Sequence, residues 1–450
     1  MRLPAALLDQ LSGTVGFDRD AFLRSHQDAR LPTSIRLNPA KLPSLPYVMQ
    51  PIGWADHGYY LSERPSFTFD PLFHAGTYYV QEASSMLLEQ AVKQFLPQDR
   101  PLRVLDLCAA PGGKATHLYS LLPPNSFLVA NEVIRSRALV LRDNLIRWGV
   151  QKALVTQNDP EQFSALENYF DWVTVDAPCS GSGLFRKDPD AIEHWSPGAV
   201  QHCSLRQQRI VSAAWQTLRP GGILFYSTCS YSTQENEEIP TRLIEEKGAR
   251  PLLLSLQPEW NITPSSPGYR CWPDKAKGEG FYFCCLQKPE EGEVAMVAKK
   301  VQTKNTLSKK EEVVVREWIE EEDDLYFQTQ RSIFVWPRLC WDEWHKLINV
   351  LNVIYSGFRV GQIMGEKLVP DHALALSKRL HQQIPLVSLT VEEAILYLQR
   401  KPLSLAESVK KGWCIAAYQQ HPLGWINILS NRVNNYYPKE LRILKESLTE

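Results

Sequence analysis

Two cysteines stand where a thiol could do chemistry. Cys179 lies in Asp176-Ala177-Pro178-Cys179-Ser180-Gly181-Ser182-Gly183, and Cys229 in Ser227-Thr228-Cys229-Ser230. Each follows a short apolar run of the kind that forms a buried strand. A lone cysteine in such a place is ordinarily a small buried hydrophobe. Two at the ends of strands in one parallel sheet would open onto the same crevice. Methylation of cytosine at C5 has a use for that pair, because this carbon is too weakly nucleophilic to take a methyl cation equivalent directly. A thiolate added to C6 makes C5 enamine-like, and after transfer a base must remove the C5 proton so that the thiolate can leave. A free thiol with a pKa of about 8.5 is only a few per cent ionised at pH 7, so the site must raise that fraction or take the proton through a neighbour. Asp176 and Lys187 are candidates to position or protonate the ring at N3.

The methyl donor needs a second set of residues. Asp106-Leu107-Cys108-Ala109-Ala110-Pro111-Gly112-Gly113-Lys114 closes a strand and opens a helix. Glycines there let the backbone approach a ligand, and a helix N-terminus offers unpaired N–H groups to a carboxylate. The segment is not GxGxxG, which disfavours a dinucleotide and with it a nicotinamide-dependent oxidoreductase. Glu132 ends the next strand, where doubly wound sheets read ribose hydroxyls. Asp159 follows the third strand and could accept an adenine amino group; Asp176 follows the fourth. Acids at four successive strand ends surround one crevice. Taken singly, each reads equally as a helix cap, and Asp106 as a structural acid supporting the loop.

The elements that must hold these residues follow from the pattern of apolar runs. Strands are predicted at Arg103–Leu107, Ser126–Ala130, Ala153–Thr156, Asp171–Val175 and Ile223–Tyr226, with helices over Arg135–Trp148 and Leu205–Leu218, the latter stopped by Pro220-Gly221-Gly222. Near-continuous apolar strands separated by helices indicate an α/β domain with a mostly parallel sheet covered on both faces. Gly280–Leu286, with the adjacent Cys284 and Cys285, reads as its last strand. The expected organisation is an N-terminal extension (1–95), the catalytic domain (96–288), a charged linker (289–315), an intermediate domain (316–380) and a small β-containing module (381–450), the last two separate from the catalytic sheet. Glu320-Glu321-Glu322-Asp323-Asp324 reads as a solvated loop.

At this point the sequence resembles the NOL1/NOP2/Sun family of RNA cytosine-C5 methyltransferases. The likeness rests on Asp106 to Lys114, Asp176 to Gly183, Arg186-Lys187-Asp188-Pro189-Asp190 and Ser227-Thr228-Cys229-Ser230, and covers about residues 30 to 288. It implies a Rossmann-like class I methyltransferase sheet using S-adenosylmethionine, with Cys229 as nucleophile and Cys179 assisting product release. It also implies that Cys108, Ala109, Ala110, Pro111, Gly112, Gly113, Lys114, Glu132, Arg137, Asp159 and Asp176 contact or frame the cofactor. Lys187, Arg36 and Asn38 would meet the RNA. The one departure is Ala115, where Thr is common. The C-terminal third is similar to that of a bacterial small-subunit ribosomal RNA methyltransferase group through Gly361–Lys367, Pro370–Leu376, Pro422–Trp425 and Asn434–Lys439. That group ends in a PUA-like RNA-binding module. The implied partner is ribosomal RNA or the small ribosomal subunit. Transfer RNA with the same chemistry and a non-catalytic assembly factor are the rivals; the latter predicts loss of a cysteine or of the glycine turn, and neither is lost.

Composition sets the remaining bounds. With 49 basic and 50 acidic residues the net charge is -1, so any RNA-binding surface must be a local basic face. Nine scattered cysteines without zinc spacing suit reduced thiols in the cytoplasm and no metal. No secretory leader and no membrane span are predicted, and a monomer is expected. Trp425, Tyr436 and Tyr437 read as module core, Lys439 and Arg442 as surface residues able to meet phosphate.

Overall fold

The computed structural model describes residues 3–28, 31–42, 45–290, 307–320, 322–329, 331–405 and 410–446. Five apolar runs, Arg103–Asp106, Phe127–Asn131, Ala153–Thr156, Phe170–Asp176 and Leu218–Thr228, lie parallel in one sheet. They are buried on both faces, which is why they read as continuous rather than alternating. In space the order is 153–156, 127–131, 103–106, 170–176, 218–228, and Phe281–Gln287 then pairs antiparallel with the last. The chain order reverses between 103–106 and 170–176, and there the strands' carboxyl ends leave an open crevice. Helices Leu88–Phe95, Gly113–Leu121 and Arg135–Trp148 bury Leu88, Leu118 and Leu141 on one face. Helix Pro197–Thr217 buries Ile210 and Val211 on the other. It starts a full two turns before the predicted Leu205, because Ser196 caps it by accepting from the Ala199 N–H (3.1 Å) and Pro197 fits its first turn. Pro220-Gly221-Gly222 does not precede the next strand but lies inside it as a bulge, where pairing with the neighbouring strand jumps from Leu218 to Ile223.

The N-terminal region forms an antiparallel sheet in the order 49–51, 58–61, 33–37, 78–80. Its helices Ala5–Leu11 and Arg19–Gln27 bury Leu7, Leu11 and Phe22 against Phe185, Tyr231 and Trp272 of the catalytic domain. Arg36 and Asn38, expected to meet RNA, are 2% and 1% exposed, and that expectation is corrected. The Arg36 guanidinium donates to Gln81 Oε1 (2.8 Å) and Thr116 Oγ1 (2.7 Å), bracing the helix that starts at Gly113. Asn38 Nδ2 donates to the carbonyls of Gly76 and Trp148, both at 2.9 Å. Both are staples between the N-terminal sheet and the catalytic domain.

The C-terminal region is not the separate body predicted. Val353–Ser356 pairs antiparallel with Ala153–Thr156 and extends the catalytic sheet. Helix Trp341–Val350 packs Trp341, Trp344 and Leu347 into the core that holds Phe163 and Ile210. Around these lie two four-stranded sheets, 324–329/332–337/358–364/367–370 and 386–388/412–418/421–428/433–435. In the second sheet's surroundings Trp425 and Tyr437 are core (each 1% exposed), while Tyr436 is exposed against Trp413. Lys439 and Arg442 are at the surface. This module is seated on the N-terminal region: Phe69 and Ala75 share a core with Leu398, Leu423 and Tyr437. Of the predicted linker, 291–306 lie outside the described residues, and Lys309–Arg316 is a helix with a Ser308/Glu311 capping box. The acidic run is also corrected in part, because Asp324 opens a strand and is buried against Arg379 (2.6 Å). Among the described residues no helix is long and apolar enough to cross a membrane.

Candidate active site

Most of the predicted site converges on the crevice. The loop from Asp106 to Lys114 turns through Gly112, whose φ of +116° only glycine adopts readily, and Gly113 starts the helix where a Cβ would come within 3.3 Å of the Tyr79 ring. The loop, with Tyr79, Gln81 and Asp176, lines a cavity of about 160 Å³. Asp106 is 0% exposed, and among the described residues no side chain hydrogen-bonds to either carboxylate oxygen, the Cys108 N–H being the one backbone group that favours its charged form. Burial, reinforced by Asp176 and opposed by Lys114, pushes its carboxyl up to about 8. An orphaned acid of this kind calls for a cationic partner, and the helix N-terminus beside it for an anionic one. The amino-acid end of S-adenosylmethionine carries both, so the residues present fit that group.

Glu132 is 4% exposed; it accepts from the Ile134 N–H (2.9 Å) and pairs with Arg137 (3.1 Å). Arg137 also donates to the carbonyl of Ala110 (3.0 Å), tying Glu132 to the cofactor loop. Asp159 behaves as the cap that sequence equally allowed: it accepts from the Glu161 N–H and pairs with Arg209 (2.9 Å), its carboxylate 39% exposed. Asn131, overlooked in sequence, is buried and bonds at once to the Leu107 and Asn158 carbonyls and to Thr156 Oγ1, so one side chain joins three strand-end loops.

The two cysteines meet. Cys179 Sγ and Cys229 Sγ are 3.1 Å apart, a thiol–sulfur hydrogen bond and not a disulfide. That hydrogen bond, then burial, holds the Cys179 thiol well above its ordinary range. Beside the pair, Asp176 accepts from Ser227 Oγ (2.7 Å) and pairs with Lys114 (2.8 Å), whose ammonium sits 5.0 Å from the Phe281 ring centre. The Asp176–Lys114 pair thus lines the cavity and, through Ser227, is bonded to the strand that ends at Cys229. Lys187 is not brought to them; it is exposed in the turn after Ser182–Leu184. Two residues that sequence reasoning missed hold the thiol loops. Glu235 is fully buried and accepts from the Ser180 N–H and from the hydroxyls of Ser180 and Ser230. Asn236 Oδ1 accepts from Thr228 Oγ1 (2.6 Å) and its Nδ2 donates to the Ser230 carbonyl (2.9 Å). Their only signal was a polar pair, Glu235-Asn236, placed shortly after the Thr-Cys-Ser segment.

Comparison with known proteins agrees with this geometry. A family model described as 16S rRNA methyltransferase RsmB/F matches residues 93–287. The N-terminal domain of 16S rRNA methyltransferase RsmF matches 3–83, and the methyltransferase RsmF PUA domain matches 385–443. The chain is 30% identical over 442 residues to ribosomal RNA small subunit methyltransferase F of Shewanella piezotolerans, covering 93% of this chain and 92% of that one. It is 31% identical over 438 residues to the protein of the same name from Aeromonas hydrophila, covering 91% and 90%. Among solved structures, a methyltransferase homologue from Pyrococcus horikoshii aligns with a TM-score of 0.51 at 27% identity, covering 64% of this chain and 100% of that one. The structure of NSun6 from the same organism with SFG shares the fold, with a TM-score of 0.54 at 19% identity and coverage of 64% and 99%.

Proposed function

This chain belongs to the ribosomal RNA small subunit methyltransferase F family, and from that premise we propose that it methylates cytosine at C5 in 16S ribosomal RNA through a covalent bond between Cys229 Sγ and C6. The observation that carries the reading is the pair of thiols 3.1 Å apart, on the two strand ends that Asp176 and Ser227 join beside the cavity. S-adenosylmethionine is the methyl donor of this family, and it supplies the methyl group as a cation equivalent. Asp106 takes its ammonium, the N–H groups at Gly113 and Lys114 its carboxylate, and Glu132 its ribose hydroxyls; Asp159 is the acceptor proposed for the adenine amino group.

In this reading the target base is flipped out of its stack into the crevice. Asp176 holds the N3–N4 edge of the ring. The Cys229 thiolate adds to C6; C5 would then take the methyl group as that group's bond to the donor's sulfonium sulfur broke, the electron pair staying on the sulfur; and the C5 proton passes to a base. The C6–S bond then breaks and its electron pair returns to Cys229. The Cys179 thiol, already at hydrogen-bond distance, donates to the leaving thiolate and restores the resting pair. The C-terminal PUA module, with Lys439 and Arg442 at its surface, supplies RNA contacts away from the target base.

The test is methyl incorporation into 16S ribosomal RNA against transfer RNA, followed by the two cysteine variants. Cys229→Ala is expected to lose incorporation while binding S-adenosylmethionine within about twofold of wild type. Cys179→Ala is expected to accumulate a denaturation-resistant protein–RNA adduct, absent from the double variant. Incorporation by Cys229→Ala at a tenth of the wild-type rate removes Cys229 as nucleophile; methylation confined to transfer RNA replaces the substrate.

A further inference from the structure

A carboxylate without exposure normally travels with a cation. Glu235 is 0% exposed, and among the described residues no Lys, Arg or His forms an ion pair with it. Its charge is held by hydrogen bonds instead. Oε1 accepts from the Ser180 N–H (2.7 Å) and from Gln207 Nε2 (3.3 Å); Oε2 accepts from Ser180 Oγ and Ser230 Oγ, both at 2.6 Å. Ser180 is the residue after Cys179 and Ser230 the residue after Cys229. One carboxylate therefore grips both thiol loops, whose cysteines are 50 residues apart in the chain. The grip is anchored behind: the Glu235 carbonyl accepts from Tyr226 Oη (2.5 Å), and Asn236 bonds to Thr228 and Ser230.

We propose that Glu235 is the positioning residue of the thiol pair: it clamps the Cys179 loop onto the Cys229 loop, and its buried charge holds Cys179 as a thiol. This rests on the covalent reading above for its meaning in catalysis, although the proton's location is a property of the resting protein. Two like charges on Cys179 and Glu235, in a buried site, repel strongly. A thiolate is therefore disfavoured on Cys179, the thiol that must donate to the leaving sulfur. The groups facing this pair are Cys229, Tyr226 of the nucleophile strand and Cys203 of helix Pro197–Thr217; behind them Tyr226 faces Asp176 and Cys108 of the cofactor side, and Cys203 faces Arg206. Glu235 is tied to both thiol loops, by two hydrogen bonds at Ser180 and one at Ser230, and its charge acts on Cys179.

Glu235→Gln isolates the charge from the clamp. The amide oxygen still accepts from the Ser180 N–H, and its NH2 turns the two serine hydroxyls into acceptors. The full-length protein without RNA is treated with iodoacetamide from pH 6 to 10, and alkylation of Cys179 is followed by peptide mass spectrometry. The thiol titrates above that range, so the rising limb of the rate is read: it is expected to move down by about one pH unit in Glu235→Gln, a tenfold gain in thiolate at a given pH. The paired variant Ser180→Ala/Ser230→Ala keeps the charge and loosens the clamp. It is expected to slow adduct resolution at every pH while S-adenosylmethionine affinity stays within twofold. A Cys179 alkylation rate that is the same at each pH in wild type and Glu235→Gln overturns the role of the charge, and normal resolution in the serine variant overturns the clamp. Should Glu235→Gln not fold, Glu235→Asp serves, with the rate at each pH expected to stay near wild type; a tenfold gain there overturns the proposal. A Cys179→Ala protein that forms no adduct under any condition refutes the covalent reading and leaves the alkylation result standing on its own.

Discussion

Asp106 and Glu235 are both acids with no exposed surface at the carboxyl end of the same sheet, and they are treated in opposite ways. Among the described residues Asp106 has no side-chain partner for either oxygen, whereas Glu235 has four hydrogen bonds from its own chain. Leaving a buried polar group unpaired costs about 1–3 kcal/mol, and more for a charge. Asp106 lowers that cost by keeping its proton, its carboxyl standing at about 8. The contrast teaches where each half of the crevice is finished. The cofactor half is completed only by a ligand, while the thiol half is complete within the chain and needs only a substrate.

Replacing Asp106 is the hardest blow to that contrast. Asp106→Asn is expected to raise the Kd for S-adenosylmethionine roughly 100-fold, the upper end of about 1.5–3 kcal/mol for a hydrogen bond to a charged group. The rate at saturating donor should change far less. Because the free carboxyl is protonated below about pH 8 and the bound one faces an ammonium, wild-type binding should release close to one proton at pH 7 and tighten as pH rises towards 8. Calorimetry in buffers of different ionisation enthalpy reads both. Equal affinity and equal proton release in Asp106→Asn break the contrast outright.

Glu132→Ala sharpens it from the other side of the cavity. Glu132 is already partnered by Arg137 and the Ile134 N–H, so the resting protein tolerates its loss, and the effect appears on the ligand. A weakening of about 1–3 kcal/mol in donor binding is expected by calorimetry. Unchanged affinity would move the ribose contact elsewhere.

Mild acid is the gentlest probe. Neither half of the crevice is built on histidine, but His26, His74 and His372 are packed elsewhere, and burial pushes them down to about 4, 4 and 3. A histidine whose pKa is depressed on folding is neutral in the folded protein and charged in the unfolded one between its two pKa values. Stability is therefore expected to fall as pH drops from about 6.5, by about 1 kcal/mol for each of the deeply buried His26 and His74 at pH 5.5. Thermal melts from pH 7.5 to 5.5 check this. Loss of activity ahead of the melt would show a site group titrating instead.

How much of this was legible in the sequence follows the same division. The cofactor loop is contiguous, so the turn glycines, the helix start and Asp106 all stand within nine residues and declare themselves. The cysteines were found because each ends a strand whose apolar run is visible. Glu235 and Asn131 were not, because their roles lie in partners brought together from separate loops. Arg36 and Asn38 misled for the same reason: a polar residue beside a turn reads as surface, and only tertiary packing buries it against Gln81, Thr116 and Trp148. The short run Val353-Ile354-Tyr355-Ser356 reads as a strand, but nothing local says which sheet it joins.

That strand has a consequence for how the enzyme is made. The catalytic sheet's remaining strands end at Gln287, yet the Ala153–Thr156 edge stays uncovered until Val353–Ser356 arrives about 70 residues later. At ordinary synthesis rates of 5–20 residues per second, that is a delay of roughly 3–14 s in which a nascent chain carries an open β edge. The segment that closes it lies inside the first small C-terminal sheet, between its strands 332–337 and 358–364 and ahead of residues 385–443, so the methyltransferase half can be sealed before the PUA module has left the ribosome. A chain stopped after Gln287 is thus left with a bare edge beside its cofactor strands, a candidate for proteolysis and not an unguided methylase.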